Sequence, residues 1–481
     1  MGFIYGLTVF LIIFEGIIIQ CEDTDDETSL NYKQDASSID TKEDQQFLPN
    51  DLIELIVSKT DLKTIFVAIR SHKVPPNYTV MSRILQDHRI VFMPDPNGGI
   101  SERHELDGSF LIFGDYQKLE SFCKKFGDHV KNIEMDLEIY SKHRRSEIIH
   151  NVIRRCAKNL QELRISSRGG FWEEMSKEEK YIIFPKVRKF QIVGHITRNE
   201  FKLNLIFPKL ESFKLIGTVN DVNCLTNVTK LKELTLLTHS IKEDQLGDII
   251  KNNRNMTRIS LSEPKSTDTL QSIADYLTKL ETLEVEFPGE NFLLRTDDRA
   301  IYELPSVTYF YISFYDTYER IVIGNLSFHM PNLKKLTLNG NQADYRIINF
   351  IKQFEELEIV EILFNDDYDA VGCIKKLKHI KEFTATFYRK NRFDTMFQLV
   401  SLKNMFENFD KESKLQTLKL THSHFNESLF KTYGEKMEKI NIDLKRSSKP
   451  TWTLSHGEQN GTGQKYMMFR REPCTCNACN K

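Results

Sequence analysis

One short phrase, apolar-x-x-apolar-x-apolar, recurs thirteen times in this chain. Its copies start at Val130, Leu160, Val187, Leu210, Leu231, Met256, Leu280, Val307, Leu333, Leu357, Ile380, Leu415 and Met437. The clearest copy reads Leu333-x-x-Leu336-x-Leu338 and is followed by Asn341. Successive starts lie 21 to 35 residues apart. In an extended segment side chains change face at every step, so the fourth and sixth positions share one face and the residues between them share the other. A strand and its return connector cannot bury their apolar face alone, so units repeated at this period must stack on one another.

This pattern predicts an α/β fold, a leucine-rich repeat solenoid. About thirteen irregular repeats over 127–445 would form a curved stack with a parallel sheet on the concave face. A small helical region would precede it. Connectors rich in apolar residues predict helices, as at 146–155 and 344–354. The long gap between Ile380 and Leu415 carries an insertion over 388–413, whose Phe393, Met396, Phe397, Met405, Phe406 and Phe409 predict one or two packed helices. Residues 77–126 read as irregular, with strand-like runs at 89–93 and 109–113 around the turn Asp95-Pro96-Asn97-Gly98-Gly99. After Leu444 the phrase stops, and Ser, Gly, Thr and Asn predict a flexible basic tail over 446–481.

Phe47-Leu48-Pro49, Asp51 to Ile56, Asp61-Leu62 and Val67-Ala68 resemble an F-box. Phe122-x-x-x-Phe126-Gly127-x-x-Val130-x-x-Ile133 is similar to the first repeat of insect F-box proteins with leucine-rich repeats. The likeness to that repeat superfamily covers about 122–444, and the F-box-like helical region and N-terminal cap cover 47–126. Arg70-Ser71-His72 stands where the family carries Cys and Trp. The resemblance implies an adaptor: the F-box docks on a ubiquitin ligase while the repeats hold the substrate.

The N-terminus implies a different compartment. Phe3 to Ile19 is apolar except for Gly and Glu15, too short for a comfortable membrane span and of the length of a signal-peptide core. Cleavage near residue 21 would release a secreted chain with no membrane span. Uncleaved, the run would serve as an anchor. Six N-glycosylation sequons, at Asn77, Asn227, Asn255, Asn325, Asn426 and Asn460, accord with export. The stretch 22–46 has a net charge of −7 and few apolar residues, so it reads as a disordered linker. The whole chain, at net −2, predicts no nucleic-acid partner.

The cysteines do not form a secreted scaffold. Cys123, Cys224 and Cys373 each lie seven residues before a phrase and therefore share one structural position. Strands about 4.8 Å apart put two such sulfurs roughly 20 Å apart when four repeats intervene, beyond the roughly 7 Å Cα reach of a disulfide. Cys156 is one repeat from Cys123, so only that pair could bond. At the tail, Cys474, Cys476 and Cys479 offer three thiols in six residues. They could give one intrachain bridge and one free thiol, or a disulfide-linked dimer. Three of the four ligands of a zinc site is a further reading, but no fourth ligand is adjacent.

No reactive constellation emerges. Gly457 to Lys465 lacks the spacing of a phosphate loop and the hydroxyl after its lysine. His422-Ser423-His424 reads as a turn, and Asn365 to Asp369 lacks the Gly and distal Glu of a calcium loop. No metal site, cofactor or enzymatic activity is expected. The outward strand positions are the binding candidates, with Glu284, Glu286, Tyr309, Tyr311, Lys335 and Thr337 at the centre. Paired tyrosines among charges form the type of patch that anchors a protein partner. The expected function is that of a secreted protein that binds a macromolecule on its concave face. The alternative is an intracellular F-box adaptor.

Overall fold

The computed structural model describes residues 85–471 with internal breaks, the longest at 168–181, 288–300, 315–325, 365–378 and 388–413. The described residues all lie within one compact unit, Glu54–Lys481. The expected signal segment, acidic linker and most of the F-box-like stretch fall outside them, as do the insertion at 388–413, Cys373 and the three tail cysteines.

The strands run β1 (His88–Phe92), β2 (Ile100–Glu105), β3 (Gly108–Phe113), β4 (Asn132–Asp136), β5 (Glu162–Ser167), β6 (Lys189–Ile196), β7 (Ser212–Val219), β8 (Glu233–Leu237), β9 (Arg258–Ser262), β10 (Thr282–Phe287), β11 (Ile301–Glu303), β12 (Tyr309–Phe314), β13 (Ser327–His329), β14 (Lys335–Gly340), β15 (Ile359–Phe364), β16 (Glu382–Phe387), β17 (Thr417–His422), β18 (Trp452–Glu458) and β19 (Lys465–Arg471). All but β11 and β13 form a single sheet of 17 strands, and those two pair with each other. From β4 to β17 every neighbour within the large sheet is parallel. The fold is therefore α/β, with a large, mostly parallel sheet and few helices.

Burial follows the phase of the phrase. Leu333, Leu336 and Leu338 are buried, as are Leu280, Leu283 and Val285, while the residues between them are mostly half-buried on the opposite, open face. Helices α1 (Tyr116–Phe126), α2 (Lys142–Ile148, which continues through a wide turn, Ile149–Ile153, to Cys156), α3 (Leu203–Ile206), α4 (Glu243–Asn252), α5 (Thr267–Tyr276) and α6 (Tyr345–Lys352) lie in the connectors. The helices expected at 146–155 and 344–354 are among them. Aromatic rings fill the space beneath the sheet. Phe207 packs on Phe184 and Phe190 at 5.1 and 4.7 Å, and Phe328 meets Phe310 and Phe350 at 5.2 and 6.1 Å.

Four of the strands are entered through the same tight turn. The amides of Val187, Leu210, Val307 and Leu333 donate to the carbonyls of Phe184, Phe207, Leu304 and Met330. Pro185, Pro208, Pro305 and Pro331 hold the second position of these turns, where a fixed φ near −65° is already correct. Buried amides join neighbouring units. The Asn253 side chain accepts from Leu231 N at 2.8 Å and donates to Val228 O and Ile249 O at 2.7 and 2.9 Å.

Three expectations need correction. No boundary follows residue 126, because β1 pairs in parallel with β4 on one side and β3 on the other, and the sheet continues across that point. The strand-like runs at 89–93 and 109–113 are thus part of the main sheet. The phrase at Met437 is not a strand: the described residues from Lys431 to Leu444 are helical. Met437, Asn441 and Leu444 fit the spacing of one helical face as well as a strand phrase, and Met437 and Leu444 are buried. The tail is not wholly flexible either. β18 and β19 form an antiparallel hairpin on β17 that buries Trp452, Met467 and Phe469. Asn441 fastens it, donating to Trp452 O at 2.7 Å and accepting from Trp452 N at 3.0 Å. The hairpin β2–β3 borders the other end of the sheet. An antiparallel hairpin at each end covers edges that would otherwise template pairing with other chains.

Cys123, Cys156 and Cys224 are buried. The Cys123 thiol meets that of Cys156, and this hydrogen bond, together with burial, raises its pKa well above the usual thiol range.

Candidate binding face

The register of the parallel ladder decides which open-face residues meet. Thr282, Tyr309, Lys335 and Ile359 form one row across β10, β12, β14 and β15. Glu284, Tyr311, Thr337 and Glu361 form the next row, and Glu286, Ser313, Asn339 and Leu363 the third. The six candidate residues thus occupy three adjacent strands.

Five of these side chains have fixed neighbours on the face. Lys335 Nζ lies 5.4 Å from the Tyr309 ring centroid and 3.0 Å from a Glu361 carboxylate oxygen. Thr337 Oγ1 donates to the other Glu361 oxygen at 3.1 Å, and Asn339 Nδ2 donates to the Tyr311 hydroxyl at 3.4 Å. Glu284 is held by Arg258 at 2.6 Å. Burial pushes the Tyr309 phenol above its ordinary pKa, with smaller effects from Thr337, Glu284 and Lys335. The ring is therefore neutral at physiological pH and offers an apolar face with a polar tip.

Thr337, at 5% exposure, is buried beneath its longer neighbours, with its hydroxyl on Glu361. Arg258 and Glu361 were not among the expected residues. Both occupy the outward phase of their own phrases, which begin at Met256 and Leu357, so the same periodicity points to them. A second charged cluster lies nearer the start of the sheet. There Arg89 and Arg164 each contact both Glu134 and Glu162, at 2.6 to 3.6 Å.

Of the six sequons, Asn227 and Asn255 are described, and both are exposed in the turns that lead into β8 and β9. Asn77, Asn325, Asn426 and Asn460 lie outside the described residues. His422 ends β17, while His424 and 365–369 are also outside. Among the described residues no three His, Cys, Asp or Glu side chains converge as a metal set, and no helix is long and apolar enough to cross a membrane. A scan against protein-family models and a search of curated proteins each found no match to this chain.

Proposed function

We propose that this is a secreted, non-enzymatic leucine-rich repeat protein that binds a protein partner through the open face of its sheet around Tyr309 and Tyr311. The repeat assignment is supported by the common phase of twelve phrases, from Val130 to Leu415, with strands at a matching position in each. The resemblance of the motifs from Phe47 to Ile133 to insect F-box proteins with leucine-rich repeats supports an ancestry near them. Export is supported by the apolar run Phe3 to Ile19 and by the exposed sequon asparagines Asn227 and Asn255.

The observation that carries the binding role is the Tyr309–Lys335–Glu361 network with Tyr311, held by Asn339, beside it. It presents two half-buried rings that a partner could cover at little entropic cost, surrounded by charges already held in position. Central aromatic anchors of this type dominate binding energy in many interfaces. The tail cysteines Cys474, Cys476 and Cys479 add a route to a disulfide-linked dimer.

The test compares the unaltered protein with Tyr309→Ala/Tyr311→Ala in capture from conditioned medium. We expect specific partners that the double variant loses by at least about tenfold, since two anchor truncations cost about 2 kcal/mol or more. A variant in the remote cluster, Glu134→Ala, should retain them. Partners retained by the double variant, or lost equally in both, would refute the assigned face.

A further inference from the structure

The turns that introduce the strands carry a second feature, on the edge of the sheet rather than its open face. Lys186, Lys209, Lys230 and Lys279 each stand immediately before the buried residue that begins a phrase, and Lys158 and Arg254 stand two residues before theirs. All six are exposed. They come from the six consecutive units that contain β5 to β10, one base per unit. With strands about 4.8 Å apart, the row extends roughly 24 Å. Arg188 and Lys232 flank it, both contacting the single carboxylate of Glu211, at 3.3 and 3.0 Å. Lys158, Lys209 and Lys230 have no ion pair among the described residues. Beyond β10 the corresponding positions are Ser306, Asn332, Glu356, His379 and Lys414, so the unbroken run of bases ends at β10. The net charge of −2 conceals this asymmetry.

We infer that this edge is a docking surface for a linear sulfated polysaccharide. A row with one base per unit matches an extended polymer that carries repeated anionic groups, and each contact releases counterions from that polymer. The Tyr276 ring at the row is half-buried and lies under the Arg254 guanidinium at 5.3 Å, so its face is already taken, whereas single-stranded nucleic acid would need successive open rings for stacking. The extracellular source of the polymer rests on the export proposed above. The site itself does not, because the test uses purified protein.

Asn227 and Asn255 lie on the same edge, and Lys279 Nζ already contacts the Asn255 side chain at 3.0 Å. A glycan on either asparagine would cover part of the row, so binding is measured before and after enzymatic removal of N-glycans.

The probe is size-defined heparin oligosaccharide, titrated into the full chain at about 0.15 M salt. The expected result is saturable binding, tighter after glycan removal. Lys186→Glu/Lys209→Glu/Lys230→Glu should weaken it by at least about tenfold. Lys334→Glu/Lys352→Glu/Lys431→Glu, which alters net charge equally away from the row, should stay within about threefold. In the unaltered chain, heparin should protect Lys209 and Lys230 from acetylation, a readout that survives if a variant folds poorly. Absence of binding in both glycoforms, equal losses in the two triple variants, or unprotected Lys209 and Lys230 would overturn the inference. Duplex DNA bound as tightly as heparin would overturn the saccharide assignment.

Discussion

Leu336→Asp is expected to cost at least about 5 kcal/mol and to abolish cooperative unfolding of the central units. Leu336 is fully buried on β14, in register with Phe310 on β12 and Val360 on β15. Phe310 itself packs on Phe328 and Phe350. Truncating a buried leucine alone costs about 2 to 5 kcal/mol, and an unpaired buried carboxylate adds several more. The neighbouring open-face change Glu284→Ala removes only a partly exposed pair with Arg258, worth about 1 kcal/mol or less. Thermal melts of the two variants check the prediction. Comparable losses would mean that the inward and outward positions have been exchanged.

Gly217→Ala should cost about 3 kcal/mol or more, although it adds a single methyl group. Ser167, Gly194 and Gly217 occupy one register position across β5, β6 and β7. Gly194 and Gly217 have φ of +140° and +135°, where an L side chain is strained by about 1 to 3 kcal/mol. A Cβ on Gly217 would lie 2.0 Å from the Gly194 carbonyl oxygen, and a Cβ on Gly194 would lie 1.8 Å from that of Ser167. Both obstacles are backbone, so relief requires the strands to part. Gly247, inside α4, provides the contrast: its added Cβ would meet only the Ser272 hydroxyl, at 3.8 Å. Gly247→Ala should be neutral or stabilise by up to about 1 kcal/mol through helix propensity. Chemical denaturation of the two single variants separates them, and equal midpoints would refute the glycine ladder.

These two sites mark what a linear reading could and could not reach. Leu336 was legible because the phrase around it repeats, and repetition fixes phase even where single residues vary. The same phase puts Glu284, Tyr309, Tyr311 and Lys335 on one face. It did not foresee that Thr337 would be covered by its neighbours, because coverage depends on side-chain lengths in adjacent strands. Gly194 and Gly217 were silent because a glycine in a strand does not reveal which neighbouring carbonyl approaches it. At Met437 the apolar spacing suits a strand or a helix, and the contact of Asn441 with Trp452 distinguishes the two. That contact joins residues on either side of the Ser- and Lys-rich stretch that read as linker. The strands β1 and β3 were visible as runs, but their place in the main sheet depends on long-range pairing that no local pattern encodes.

The proposed role depends first on where the chain goes, so the most direct test follows its export. The full chain, expressed in eukaryotic cells, should be recovered from the culture medium with an N-terminus near residue 21. Treatment with an N-glycosidase should shift its mobility, and peptide mapping should find glycan at Asn227 or Asn255, the exposed sequons on the turns before β8 and β9. A product that stays in the cytosol, begins at Met1 and shows no shift would contradict the account and favour an intracellular F-box adaptor.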